Sequence, residues 1–220
     1  MFPTPRLLYV ITRLDVTYYN YEFTDLQVNT FNPTKFSYVL SNAGSVKQQG
    51  VDFQVGLRPT RAINLHGALG WNHNRFGSFV GQCFTGQTAA QGCNVLPGPA
   101  QDFAGRPTAR SPEWSGNAGA VYTVPIHGFE LSISGDTFYS AGYFASETLS
   151  PASYQSAFWR YNASIRLTQP DSGWSLGVVG RNLSNKYYIT LAADRTGGRA
   201  EQRGAVARGR EIALEGSLHL

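Results

Sequence analysis

The sequence predicts an all-β chain, a segment of an antiparallel transmembrane β-barrel with about eight long strands, short periplasmic turns and long extracellular loops. Three observations carry this: strict two-residue alternation, strands too long for an ordinary soluble sheet, and connections that alternate between short and long. Along 159–168, Trp159, Tyr161, Ala163, Ile165 and Leu167 are apolar, and every residue between them is polar or charged. An extended strand sends successive side chains to opposite faces. One face here suits hydrocarbon, and the other carries Arg160 and Arg166. The division recurs in Trp174, Leu176 and Val178 against Ser175 and Arg181. It recurs again in Ile212, Leu214, Leu218 and Leu220 against Glu211, Glu215 and His219. Soluble strands usually run about 5–6 residues; these runs have the length a tilted strand needs to cross a bilayer.

Strands are expected at 13–28, 36–58, 62–78, 112–126, 129–143, 154–168, 174–191 and 208–220, with residues 1–12 an irregular lead. Arg58-Pro59-Thr60-Arg61, Ile126-His127-Gly128 and Gln169-Pro170-Asp171-Ser172-Gly173 are short and turn-rich. The connections between them are longer, above all 79–111. Barrels of the outer membrane alternate in this way because periplasmic turns are short and extracellular loops long. The parity requires 36–58 to be one strand, with Gly44 and Gly50 as bulges or kinks rather than a hairpin turn.

Composition agrees. The chain has 220 residues, 42% of them hydrophobic, with 24 glycines and 13% aromatics, which suits strands and turns. It holds no run of 18 apolar residues that could form a spanning helix. The net charge of +4 is scattered singly and leaves no nucleic-acid footprint. Tyr18, Tyr19, Tyr21, Trp71, Trp114, Tyr122, Tyr143, Trp159, Tyr161, Trp174, Tyr187 and Tyr188 gather toward strand ends, as interfacial girdles do. Phe84 and Phe103, in or beside a loop, are candidates to touch a ligand.

Four stretches carry a family resemblance. GRNLSNKYY (180–188) resembles the penultimate-strand signature of TonB-dependent outer-membrane receptors. NAGSVKQQGVDFQV (42–55) resembles a descending strand of that family and SPEWSGNAGAVYT (111–123) another, and GREIALEGSLHL (209–220) sits where the closing strand belongs. The resemblance implies an importer of iron–siderophore complexes, cobalamin or another scarce nutrient in a Gram-negative outer membrane, energised through TonB. It also implies a plug domain inside a barrel on the order of 22 strands. Residues 13–220 then correspond to the C-terminal portion of such a barrel, a fragment without the plug or the N-terminal barrel strands. The final residue, Leu220, is apolar and in phase where the family usually has an aromatic.

In this frame Trp159, Tyr161, Ile165, Leu167, Trp174, Leu176, Val178, Ile212, Leu214 and Leu220 are expected to face lipid. Glu130, Asp136, Arg160, Arg166, Arg181 and Glu215 face the lumen and are candidates to contact the plug; alternatively they solvate a wet lumen or pair across strands. Cys83 and Cys93 share the longest loop, and an extracellular setting favours a disulfide between them. His66, His73, His127 and His219 lie at no metal-ligand spacing. Glu130 and Asp136 share a face but stand about 20 Å apart along a strand, too far for paired acid–base chemistry. No cofactor and no enzymatic activity is expected. The expected partners are outer-membrane lipid, the plug and remaining strands of an intact receptor, TonB through that plug, and a small siderophore-like ligand at the loops. The competing reading is a self-contained eight-stranded barrel with a structural or adhesive role. Ahead of the gene, a plug-encoding frame would favour the first and a signal peptide the second.

Overall fold

A computed structural model describes residues 11–32, 37–195 and 201–218. It contains one eight-stranded antiparallel sheet whose strands follow each other in chain order. They are β1 (Ile11–Asn32), β2 (Ser37–Arg58), β3 (Ile63–Ser78), β4 (Trp114–Ile126), β5 (Phe129–Ser140), β6 (Phe158–Gln169), β7 (Trp174–Arg181) and β8 (Glu211–Leu218). Each strand pairs with its neighbour, and β1 and β8 end the sheet without pairing to each other. Residues 1–10, where most of the irregular lead was expected, fall outside the described residues, as do His219 and Leu220.

Each short connection follows from its residues. Thr60 Oγ1 accepts hydrogen bonds from the backbone N–H of Ala62 (3.2 Å) and Ile63 (3.1 Å), closing the β2–β3 turn. His127 (φ 48°) and Gly128 (φ 83°) both adopt left-handed backbone, as a two-residue hairpin matched to strand twist requires. Gly173 (φ 66°) closes the β6–β7 turn, its N–H donating to the Gln169 carbonyl at 3.0 Å.

Strand β2 is continuous through Asn42-Ala43-Gly44, so the alternative hairpin there does not form. The irregularity sits where Gly44 falls: Asp25 on β1 takes φ 55°, and the β2–β3 register shifts between Ser45 and Val46. Gly50 is not a bulge. It pairs regularly with Tyr19 and Asn72, and a Cβ there would lie 2.4 Å from the Tyr19 hydroxyl. Its bare backbone is the floor on which the Tyr19 ring lies.

The expected strand 174–191 is overturned. β7 stops at Arg181 because Asn182 (φ 48°) and Asn185 (φ 51°) turn the chain. Residues Ile189–Asp194 instead form a separate hairpin with Gln202–Val206. Two further small hairpins, Val80–Gln82 with Ala100–Asp102 and Tyr143–Phe144 with Tyr154–Gln155, stand on the same end of the sheet. All three long connections therefore carry structure of their own.

Candidate functional site

The sheet has two chemically distinct faces. Register aligns Tyr18, Val51, Trp71 and Trp114 in one row, and Ile133, Ile165, Val178 and Leu214 in another. Both rows lie on the apolar face, where Ile165, Leu176 and Leu214 are exposed. Exposing so much contiguous apolar surface is untenable in water and ordinary against hydrocarbon. Aromatic pairs bound this band: Phe129 against Trp174 at 5.8 Å near the short turns, and Tyr139 against Trp159 at 4.8 Å near the long connections. Beyond Trp71 and Trp114 the same face becomes charged, with Glu22, Lys47, His73 and Arg75.

Four of the expected girdle aromatics lie elsewhere. Tyr19 and Tyr21 stand one position out of phase with Tyr18 and stack together at 5.8 Å on the polar face. Tyr188 stacks on Phe158 at 4.2 Å. Tyr143 donates its hydroxyl to the Ile189 carbonyl at 2.6 Å, and burial raises its pKa above the ordinary tyrosine value.

The polar face carries the charges singled out from sequence, and three of the six, Arg166, Arg181 and Glu215, engage one another. Arg166 donates to Glu215 at 2.7 Å and to Ser175 Oγ at 3.2 Å, and Arg181 reaches the same carboxylate at 3.6 Å. Asp136 meets His66 at 3.1 Å. Both contacts skip a strand, a separation of about 9.5 Å between backbones. Each passes over a glycine: Gly177 lies between Arg166 and Glu215, and Gly119 between His66 and Asp136. A Cβ on Gly119 would lie 2.4 Å from Asp136 Oδ1. These partly exposed pairs contribute about 0–1 kcal/mol each, so they order the wall rather than hold it together.

Arg160 differs. Its guanidinium lies over Phe138 at 4.7 Å and near Tyr188 at 5.4 Å, and its buried Nε has no hydrogen-bond partner among the described residues. Glu130 likewise makes no ion pair among the described residues. The His66–Asp136 pair and the His73–Glu113 contact (3.1 Å) were not read from sequence, where the histidines looked isolated. The signal that could have found the first is register: placing Gly119 opposite both residues aligns them.

Where the long connections converge, the chain builds the one apolar core among its described residues. Val46, Phe76, Phe79, Phe103 and Leu149 are buried together, so Phe103 is a packing residue and not a ligand contact. Rings of Phe79 and Phe103 stack at 5.0 Å. Cys83 and Cys93 are joined by a disulfide, with Cα atoms 5.7 Å apart, in the 79–113 connection. Phe84 is half-buried beside it, its N–H donating to Gln87 Oε1 at 3.0 Å. Gln101, 1% exposed, ties this loop to the next: its amide donates to the carbonyls of Gln82 (2.9 Å) and Thr148 (3.0 Å), and its oxygen accepts from Arg106 at 2.8 Å. Burial lowers the Arg106 pKa. Arg110 pairs with Glu147 across the same two loops. The third connection joins through the Ala192 N–H to the Ala145 carbonyl (3.0 Å) and the Ile189 N–H to Gln155 Oε1 (2.8 Å). Three loops thus form one packed cap.

Glu113, at the rim, has its pKa lowered, chiefly by the hydrogen bond with His73 and further by Arg75. Among the described residues no three His, Cys, Asp or Glu side chains converge as metal ligands would. What the arrangement offers is a two-faced wall, apolar outside and polar inside below a packed rim, with Arg160, its Nε unpartnered among the described residues, near the mouth.

A two-faced antiparallel wall of this kind is the architecture of a transmembrane β-barrel. A family model of the TonB-dependent receptor-like β-barrel matches residues 6–183, and the chain belongs to that family. The family comprises outer-membrane receptors of Gram-negative bacteria. No curated protein matches the chain by sequence. Among solved structures it is similar to the siderophore receptor PiuA of Acinetobacter baumannii, with 18% identity, a TM-score of 0.65, and coverage of 92% of this chain and 25% of that one. It is also similar to the ferric yersiniabactin uptake receptor FyuA of Yersinia pestis, with 12% identity, a TM-score of 0.68, and coverage of 93% and 27%. The ferric-catecholate import receptor Fiu of Escherichia coli K12, in its closed form, matches with 13% identity, a TM-score of 0.61, and coverage of 95% and 25%. These likenesses concern the fold. The chain spans about a quarter of the length of the receptors it matches.

Proposed function

We propose that this chain forms part of the wall and extracellular cap of an outer-membrane receptor that imports a scarce nutrient such as a ferric siderophore, and that it is not an enzyme. The observation that supports this best is the open sheet: among the described residues β1 and β8 both keep an unpaired edge. Backbone groups without partners are untenable in hydrocarbon, so further barrel strands must complete the circumference. The same fact disfavours a self-contained eight-stranded barrel, in which first and last strands pair.

In this reading the outer rows centred on Ile165 and Leu214 meet lipid. The inner charges Glu130, Asp136, Arg160, Arg166, Arg181 and Glu215 face a plug domain. Asp136, Arg166, Arg181 and Glu215 are already engaged within the wall, the two arginines sharing one carboxylate, whereas Arg160 and Glu130 are open to the plug or to the cargo. The disulfide-bearing cap receives the ligand, and TonB acts through the plug. The experiment is growth of a receptor-deleted strain on siderophore-bound iron. Residues 1–220 alone should give no rescue, and joined to a plug and the remaining strands they should give rescue that requires TonB. TonB-dependent growth with residues 1–220 alone would overturn the reading.

A further inference from the structure

One stretch of the polar face is built differently from the charged wall below it. Register sets four rows across β1, β2 and β3: Thr17–Asp52–Gly70, Tyr19–Gly50–Asn72, Tyr21–Gln48–Asn74 and Phe23–Val46–Phe76. The row of Trp71 and Trp114 on the opposite face falls between the first two. The last runs through Val46 and Phe76 into the core of the cap. The patch therefore sits on the inner side of the wall, in its mouth.

Aromatic rings pave it. Tyr19 lies on the bare backbone of Gly50, where a Cβ would come 2.4 Å from its hydroxyl. Tyr21 lies within 22° of parallel to Tyr19 at 5.8 Å, and Phe23 follows at 5.9 Å. Tyr21 and Phe23 are 53% and 44% exposed, open to the lumen. Neutral amides border the strip. Asn72 Oδ1 accepts from Gln48 Nε2 at 3.1 Å and from the Tyr19 hydroxyl at 3.4 Å, and Asn72 Nδ2 donates to Ser111 Oγ at 2.9 Å. These bonds fix both amides in place, and Gln48 Oε1 accepts no hydrogen bond among the described residues. Within the four rows the one charge is Asp52, which has no salt bridge among the described residues.

A run of rings edged by fixed neutral donors and acceptors suits a ligand with an apolar face and a rim of hydroxyls. A pyranose has this form, with C–H bonds on its faces and hydroxyls around its edge. A bare ferric catecholate does not: it is multiply anionic, and the strip would meet it with a carboxylate and no cation. We propose that Tyr19, Tyr21 and Phe23, with Gln48 and Asn72 alongside, form a subsite for a glycosyl unit of the cargo. The rings pack against the C–H face, while the amides and Asp52 hydrogen-bond the hydroxyls. The proposal rests on the receptor reading above. A free oligosaccharide and a glycosylated iron chelate both present this unit, and the experiment separates them.

The test uses the receptor made by joining this chain to a plug and the remaining barrel strands, purified in detergent. Titration calorimetry measures binding of maltohexaose, of a glucosylated ferric tricatecholate and of the same chelate without glucose. Binding of maltohexaose identifies a free oligosaccharide as the source. Tighter binding of the glucosylated chelate than of the bare one, without binding of maltohexaose, identifies a glycosylated chelate. In either arm the sugar-dependent affinity should be insensitive to salt, because the sugar carries no charge. Tyr21→Ala should weaken it about two- to tenfold, and Tyr21→Phe should preserve it. No binding of maltohexaose together with equal affinity for the two chelates overturns the proposal, and that measurement needs no variant to fold. Equal losses for both chelates in Tyr21→Ala overturn it as well, since the rings would then be stacking on catechol. A receptor that passes the growth experiment above yet shows no sugar-dependent binding keeps the receptor reading and loses this subsite alone.

Discussion

Ile165→Arg separates a membrane wall from any soluble sheet. Ile165 stands six residues from Trp159 and four from Gln169, which pairs with Trp174. The aromatic boundaries are thus about 20 Å and about 13 Å away along the strand, which puts Ile165 near the bilayer midplane. Its row neighbours Ile133 and Val178 are also exposed, at 41% and 45%, so the apolar surroundings extend across strands. An arginine at midplane on the lipid face costs about 2–4 kcal/mol, and the cost falls to about 0–1 kcal/mol near the interfaces. Ser164→Arg is the control. It removes the 2.8 Å Ser134–Ser164 hydrogen bond, a loss of about 0.5–1.5 kcal/mol, but its charge enters the polar face beside other arginines. The assay is urea unfolding from phosphatidylcholine bilayers of the chain joined to a plug and the remaining barrel strands, followed by tryptophan fluorescence. Ile165→Arg should be the more destabilising, by about 0.5–3.5 kcal/mol. Equal costs at 164 and 165, or a larger cost at 164, would refute the assignment of faces.

Peptide mapping without reductant should recover Cys83 and Cys93 as one linked species; closing a loop of about 11 residues restricts the free loop by somewhat under 3 kcal/mol in the entropy model, so Cys83→Ser should speed proteolysis within 79–113. Gln101→Leu should strand the Gln82 and Thr148 carbonyls and the Arg106 guanidinium, at about 1–3 kcal/mol for the buried groups left unpaired; limited proteolysis should then open the 79–113 and 141–157 connections together, and protection of either loop alone would show that Gln101 does not couple them. Glu113 has a folded-state pKa below its unfolded value, so its stabilising effect is present in full above the unfolded value and is lost as pH falls through the folded one. Loop proteolysis should accelerate over that acidic window in the unsubstituted chain, and Glu113→Gln should remove this part of the pH dependence.

Fold class and strand order were legible in the sequence because they depend on local properties. Alternation along 159–168 reports an extended backbone between two unlike media, and His127-Gly128 or Pro170-Asp171-Ser172-Gly173 can do little except turn. Short-range chemistry even placed the Gly44 irregularity, since a bulge needs only a residue free of Cβ constraints. It misjudged 174–191, where hydrophobic residues continue past Arg181 while the asparagine side chains at 182 and 185 redirect the backbone through hydrogen bonds to residues as distant as Arg208 and Arg210.

What only the tertiary structure decided is who meets whom. Whether Arg166 reaches Glu215, or His66 reaches Asp136, depends on the register of three strands at once and on the glycine over which each contact passes. A one-residue slip would send every partner to the other face. The cap is decided in the same way: Phe103 and Leu149 are far apart in sequence, and nothing local distinguishes a ring that packs against Phe79 from one that greets a ligand. Alternation is set by the two solvents on either side of a strand and is written into each strand separately. Pairing is set by packing between strands, and it exists only once they are assembled.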